Sequence, residues 1–248
     1  MTKELLLIDD IFIPQILKIE KEYLIVYKPP GLHSAPLKNS AGDTLFDWCR
    51  DKFPDVGKLS GRKKGEGGLL HRLDHETQGL MLIARTEMGM ENLLMQQNAG
   101  KITKEYCALT MKSNVKYPGF PEKQIVPRAP MEINSAFRPY GIGRKAVRPA
   151  LQGKKEYATE IIHIRELSND VFFMQVKIVS GFRHQIRCHL AWMGFPLIND
   201  TLYGGSSFGN GVLCLRASSI SFCDPNSGTE RTYLIPPLEI NSFLNSNQ

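Results

Sequence analysis

The chain has 248 residues, 42% hydrophobic and 23% charged, ordinary values for a folded protein able to bury one sizeable core. No apolar stretch approaches the roughly 20 residues that a membrane span needs, and the acidic Asp9-Asp10 does not fit the basic start of a signal peptide, so a cytoplasmic protein without membrane association is expected. The formal net charge of +6 is compatible with a polyanionic partner and too mild to prove one.

In chain order, residues 24–27 predict a short buried strand, ended by Lys28-Pro29-Pro30-Gly31 because proline supplies no ladder donor and glycine permits a sharp turn. Residues 44–53 predict a short amphipathic helix. Lys58, Arg62, Lys63 and Lys64 follow among glycines, a loop composition. Next comes His71-Arg72-Leu73-Asp74-His75-Glu76-Thr77-Gln78-Gly79-Leu80, a charged, turn-forming segment set between apolar runs. Residues 87–98 predict a clearer helix: Thr86 caps it, Glu87 suits its N-terminal dipole, Met90, Leu93 and Leu94 form an apolar stripe, and Gly100 ends it.

Lys104-Glu105-Tyr106-Cys107-Ala108-Leu109 alternates as a half-buried strand does, and residues 157–164 and 171–179 also suit strands. Residues 114–153 are Pro-rich and basic, with no regular structure expected. Arg138, Arg144, Lys145, Arg148, Lys154 and Lys155 concentrate charge over 138–155. A helix is expected over 184–193 with Ile186, Leu190 and Met193 on its apolar side. Residues 212–217 are strand-like.

Strands that mix with few helices instead of alternating with them predict an α+β fold with a mixed, mainly antiparallel central sheet flanked by helices and loops. No repeat, low-complexity tract or linker interrupts the chain. Cys49, Cys107, Cys188, Cys214 and Cys223 are scattered and odd in number, which indicates reduced thiols near the core and neither a disulfide framework nor a zinc site.

Taken alone, Asp74 reads as a surface turn residue. The motifs around it, in their order, say more. Leu24 to Gly31, His71 to Leu80, Lys104 to Leu109, Gly181-Phe182-Arg183-His184-Gln185-Ile186-Arg187, Pro196 to Asp200, Tyr203-Gly204 and Val212 to Ala217 together resemble the RluA-type pseudouridine synthases, RNA-modifying enzymes in which the Asp of His-Arg-Leu-Asp is essential. The resemblance runs over nearly the whole chain. It implies a sheet split by an RNA-binding catalytic cleft, and one catalytic domain over residues 1–248. Many relatives carry a small basic RNA-binding domain ahead of the Lys-Pro-Pro-Gly motif, but only some twenty-odd residues precede it here, short of a domain of about 50, so no appended N-terminal domain is expected.

The implied reaction isomerises uridine in ribosomal or transfer RNA: the carbon–nitrogen glycosidic bond breaks, the uracil turns over, and it rejoins the ribose through carbon 5. Nothing external is added, so neither metal nor cofactor is needed. An ionised Asp74 acts either as nucleophile on the anomeric carbon or as base at the ribose 2′ position. By the resemblance, Arg187 is the fixed cation paired with it, a guanidinium able to grip a carboxylate in two places, and Tyr106 stacks on the target uracil and helps move the proton from carbon 5. Leu213 or Leu215 forms the opposite wall.

A stacked uridine has to be flipped out to reach a buried carboxylate. Arg72, two residues before Asp74 and on its side of an extended segment, is the candidate to fill the space or grip the backbone. Arg183, His184 and Gln185 are expected at the substrate. The basic stretches become candidate phosphate contacts. Gln78 stands where the family usually has serine, Phe182 where it has arginine, and Arg216 and Asp224 where histidine is frequent. The competing reading is a catalytically silent RNA-binding or chaperone-like protein. A zinc deaminase or metallohydrolase is weaker, since His75-Glu76 lacks a second histidine at His-Glu-x-x-His spacing and no Pro-Cys-x-x-Cys occurs. A monomer is the simplest oligomeric expectation.

Overall fold

Helix and strand signals resolve, in a computed structural model that describes residues 2–36, 43–61, 65–122, 128–168 and 170–238, into the following elements. The first part of the chain gives β1 (Thr2–Leu5), β2 (Gln15–Ile19), β3 (Tyr23–Lys28), α1 (Leu45–Lys52), α2 (Asp55–Lys58), β4 (Gln78–Ala84) and α3 (Glu87–Asn98). Then come β5 (Thr103–Met111), β6 (Met131–Tyr140), β7 (Ala146–Ala150), β8 (Tyr157–Ser168), β9 (Val171–Ile178), α4 (Gln185–Trp192), β10 (Leu215–Cys223) and β11 (Glu230–Leu234). The fold is α+β, with mixed but mainly antiparallel strand pairing and few helices, as expected. Among the described residues, those of 2–104 with 216–236, and those of 105–215 with 237–238, form two compact units.

In the first unit the strands run β2-β3-β4-β10-β11-β1. The β2–β3, β3–β4 and β10–β11 pairs are antiparallel, whereas β4–β10 and β1–β11 are parallel. Every residue of β3 and β4 is buried. Such strands read as continuous apolar runs, and their polar ends, Lys28 and Gln78, need partners inside the protein. Helix α3 has the expected bounds, with the Thr86 hydroxyl accepting the Gly89 amide at 3.0 Å and Gly100 left-handed just past its end. It packs Met90 and Leu93 against Tyr23, Ile25, Leu80, Leu82, Ile220 and Phe222. Helix α1 is capped by Thr44, which accepts the Asp47 amide.

The second unit contains β5 from Glu105 on, with β9, β8, β6 and β7 following in that order. The β8–β9, β6–β8 and β6–β7 pairs are antiparallel. The hairpin of β6 and β7 corrects the expectation that 114–153 lacks regular structure. Pro139 and Pro149 do stand in strands, but Pro149 is in β7, the last strand of the order, and Pro139 is in β6 beyond the stretch Met131–Ser135 that pairs with β8, so neither missing donor costs a ladder bond. Helix α4 buries Ile186 and Leu190 as expected, and Cys188, His189 and Ala191 as well. His189 is held by hydrogen bonds with Thr159 and Ser135, both at 2.9 Å. Burial drives its basicity down to about 3, so the ring is neutral. The described cysteines are all free thiols, and no described helix is long and apolar enough to cross a membrane.

Candidate active site

The segment carrying Asp74 leaves the sheet for the eight residues 70–77. Leu69 bridges Ile83, residues 71–74 make no ladder, and the chain turns at His75-Glu76 before entering β4. The Thr77 amide donates to the Asp74 carbonyl at 3.1 Å, closing a tight turn. Two side chains fix this turn from below. The Ser34 hydroxyl donates to the Leu73 carbonyl at 2.7 Å and accepts the Leu73 amide at 3.0 Å. The Lys28 ammonium donates to the carbonyls of Pro29, Leu32 and His75 at 2.8, 2.7 and 3.0 Å, and the Gly31 amide donates to the same His75 carbonyl.

Lys28 is fully buried. Burial pulls its basicity down to about 7, while the charges of Asp74 and Glu76 push it back up. By reciprocity the ammonium favours an ionised Asp74. Sequence reasoning treated Lys28 only as the end of a strand. The signal lay in its place in the Lys-Pro-Pro-Gly motif, since a lysine closing a wholly apolar strand has to be satisfied by carbonyls. The Asp74 side chain is half-buried. His33 and His75 stack tilted at 4.4 Å between centroids, and burial, His75 and Lys28 lower the basicity of His33. His71 accepts the Leu82 amide on Nε2 at 3.1 Å; desolvation of its ring and then Lys104 drive it down to about 3, which makes it a neutral structural group. Arg72 is exposed and lies 3.4 Å from Glu66.

Immediately after the turn, the Gln78 side-chain oxygen Oε1 accepts from Arg216 Nε at 3.1 Å, Arg216 Nη2 at 2.9 Å and the Tyr27 hydroxyl at 2.9 Å. Arg216 Nη1 donates to the Pro236 carbonyl. Gly79 has a φ of +127°, and a Cβ there would sit 2.3 Å from the Ala217 carbonyl oxygen, so the parallel approach of β4 and β10 requires glycine.

In the second unit, Tyr106 is a buried residue of β5. Arg187 is buried on α4. Its Nε and Nη2 grip the two carboxylate oxygens of Asp200, both at 2.8 Å, and the guanidinium lies 5.7 Å from the Tyr203 ring centre. The carboxylate that this fork holds in two places is therefore Asp200, a residue that the motif around Asn199-Asp200 offered and sequence reasoning left without a role. Asp200 also caps the turn at Thr201–Tyr203, and the Tyr203 hydroxyl donates to the Val147 carbonyl and accepts the Val147 amide.

Arg183 is exposed and donates through Nη2 to the carbonyls of Arg144 and Ala146 at 2.9 and 3.1 Å. His184 is left-handed ahead of α4. The Gln185 amide group is buried among protein partners: it accepts the Phe182 amide and donates to Ala158 and Thr159. Phe182 stacks on Phe137 at 4.9 Å with the rings 6° from parallel, so the departure at this position extends an aromatic cluster. Leu213 and Leu215 are buried, but the strand begins only at Leu215, whose amide donates to the Leu213 carbonyl. Among the described residues, no three His, Cys, Asp or Glu side chains cluster as a metal site.

A family model described as RNA pseudouridylate synthase matches residues 22–192. A protein of Chloroflexus aurantiacus described as an uncharacterized RNA pseudouridine synthase is 28% identical over 225 residues, 89% of this chain and 65% of that protein. The ribosomal large subunit pseudouridine synthase D of Buchnera aphidicola is 27% identical over 192 residues, 77% of this chain and 54% of that protein. The chain thus spans under two thirds of the length of these relatives. The structure titled human RNA Pseudouridylate Synthase Domain Containing 1 superposes with a TM-score of 0.61 at 18% identity, over 89% of this chain and 83% of that one, a likeness of fold. The family match covers well over half of the sequence and takes in the motifs from Lys28 to Arg187, so the chain belongs to the RNA pseudouridylate synthase family, of the RluA type that its motifs resemble.

Proposed function

We propose that this chain isomerises specific uridines of structured RNA to pseudouridine. The observation that carries the reading is Asp74 on a turn fixed from below by Ser34 and by the buried Lys28 ammonium, in a chain of this family. Asp74 either bonds to carbon 1′ as nucleophile, a bond that breaks again when carbon 5 takes its place, or removes the proton at the 2′ position as base and returns it when carbon 5 is joined. The bond from carbon 1′ to N1 breaks, the base turns over, carbon 5 bonds to carbon 1′, and the proton lost from carbon 5 is balanced by one gained at N1. Tyr106 stacks on the uracil and assists that proton transfer, and Arg187, held by Asp200, supplies the fixed cation of the reaction. Leu213 and Leu215 wall the base.

The target base is flipped with Arg72 gripping or replacing it, while Arg183, His184 and Gln185 shape the substrate side, Gln185 by positioning. Lys58, Arg138, Arg144, Lys145, Arg148, Lys154 and Lys155 meet phosphates; Arg62, Lys63 and Lys64 belong to the same basic stretch and lie outside the described residues. The substrate is ribosomal or transfer RNA, the protein acts in the cytoplasm as a monomer, and the reaction uses no cofactor.

The test incubates wild type and Asp74→Ala with unmodified total RNA, without metal or cofactor, and maps new pseudouridines by position. Sites made by the wild type alone are the expected result and identify the substrate. No sites from either protein, with equal RNA binding by both, would sink the proposal in favour of a silent RNA-binding protein.

A further inference from the structure

Ile142 is 96% exposed, at the tip of the β6–β7 hairpin. A single exposed apolar side chain is ordinary on a protein surface; what marks this one is how firmly its loop is held and the charge around it. The loop of five residues between Tyr140 and Ala146 is closed by the Arg144 amide donating to the Gly141 carbonyl. Gly141, Gly143 and Arg144 all have positive φ, which glycine adopts freely and arginine does not. Arg183 clamps the far side of the loop through the Arg144 and Ala146 carbonyls. The root of the hairpin is equally fixed. Tyr203 holds both polar backbone groups of Val147, and Tyr140 packs edge-on against Phe120, itself stacked on Tyr117. The tip is therefore a braced projection.

Its charge names the partner. Arg144 and Lys145 follow Ile142 after a single glycine and are exposed. Arg138 and Arg148 stand directly opposite one another in the hairpin register, a placement in which like charges repel and which an anion between them would relieve. An apolar tip among cations matches the surface of a nucleic acid, whose phosphates flank base faces that an isoleucine can enter as a wedge.

We infer that the 141–145 tip is an RNA wedge: Ile142 inserts against unstacked bases of the substrate while Arg138, Arg144 and Lys145 hold the adjoining phosphates. This rests on the proposed action on RNA and adds to it a contact outside the catalytic residues. The wedge keeps bases apart after flipping, and the clamp by Arg183 connects it to the segment that leads into α4.

The experiment compares wild type, Ile142→Ser and Arg144→Gln. The probes are unmodified total RNA for activity, and RNA stem-loops carrying 2-aminopurine in the loop for binding and unstacking. Ile142 is exposed, so thermal unfolding of Ile142→Ser should match wild type and exclude misfolding. The expected result is that Ile142→Ser weakens binding by roughly tenfold and loses the fluorescence rise that reports unstacking, with an unchanged salt dependence. Arg144→Gln should instead make the slope of log Kd against log salt shallower by about one. Binding by Ile142→Ser within twofold of wild type, with the same fluorescence rise, overturns the wedge and assigns the exposed tip to a protein partner. The synthase reading stands or falls separately, on whether the wild type makes pseudouridine in total RNA.

Discussion

Gln78 and Arg216, two positions at which this chain leaves the usual family pattern, are each other's partners. The Gln78 side-chain oxygen Oε1 accepts two hydrogen bonds from the Arg216 guanidinium across the parallel register of β4 and β10, and both side chains are buried. A serine at 78 is too short to reach. The two departures are one change, made four residues past Asp74.

That pairing predicts coupled energetics. Gln78→Ser leaves a buried guanidinium short of two hydrogen bonds and should cost about 2–3 kcal/mol, read by chemical denaturation. Gln78→Ser combined with Arg216→His should cost less than the sum of the single changes, with a coupling of about 0.5–3 kcal/mol. Strict additivity would show that the pair is incidental.

Lys28 predicts a dependence on pH. Burial lowers its folded value from 10.5 to about 7, so between those limits the unfolded chain holds a proton that the folded chain lacks, and stability rises with pH there. The penalty is fully present below about pH 7 and gone above 10.5. Relative to Lys28→Met, wild-type stability should climb between pH 7 and pH 10 by up to about 1.4 kcal/mol per unit. A flat difference over that range would place the Lys28 proton elsewhere. In the activity assay Lys28→Met should slow pseudouridine formation, because Asp74 loses its nearby cation.

Asp200→Ala takes a bidentate carboxylate away from the buried Arg187 guanidinium and should destabilise by about 3–5 kcal/mol, whereas replacing both members of the pair by apolar residues should recover much of the loss. Thermal unfolding decides between these outcomes. Recovered stability without recovered pseudouridine formation is expected if Arg187 acts in the reaction as proposed.

Ser34→Ala removes both hydrogen bonds to Leu73 and loosens the turn that aims Asp74. The expected signature is a fall in kcat with KM little changed, and a stability loss of about 1–3 kcal/mol. A rise in KM alone would move Ser34 from aiming the carboxylate to binding RNA.

The elements readable from the residues were those whose signals are local. Thr86, Glu87 and Gly100 mark α3 within one stretch of chain, and the alternation around Tyr106 marks β5. The β6–β7 hairpin was hidden because Pro139, Gly141, Gly143 and Pro149 carry loop signals, and only their placement, Pro149 on the last strand and Pro139 past the end of the β6–β8 pairing, reconciles those prolines with strands. At the site, the motifs led to Asp74 and Arg187, but their supports join residues far apart in sequence: Ser34 to Leu73, Lys28 to His75, and Gln78 to Arg216 are separated by 39, 47 and 138 positions. Such bonds leave no periodic trace. They could be anticipated only by asking which partners a buried polar side chain must find.

Tyr203 gives the second unit a mechanical linkage. Its ring lies beside the Arg187 guanidinium, its backbone is capped by the aspartate that orients that guanidinium, and its hydroxyl is fastened to both polar backbone groups of Val147. Strand β7 therefore cannot tilt without pulling on the seat of Arg187, and a load applied at the hairpin tip travels along one rigid side chain to the arginine, as through a crank.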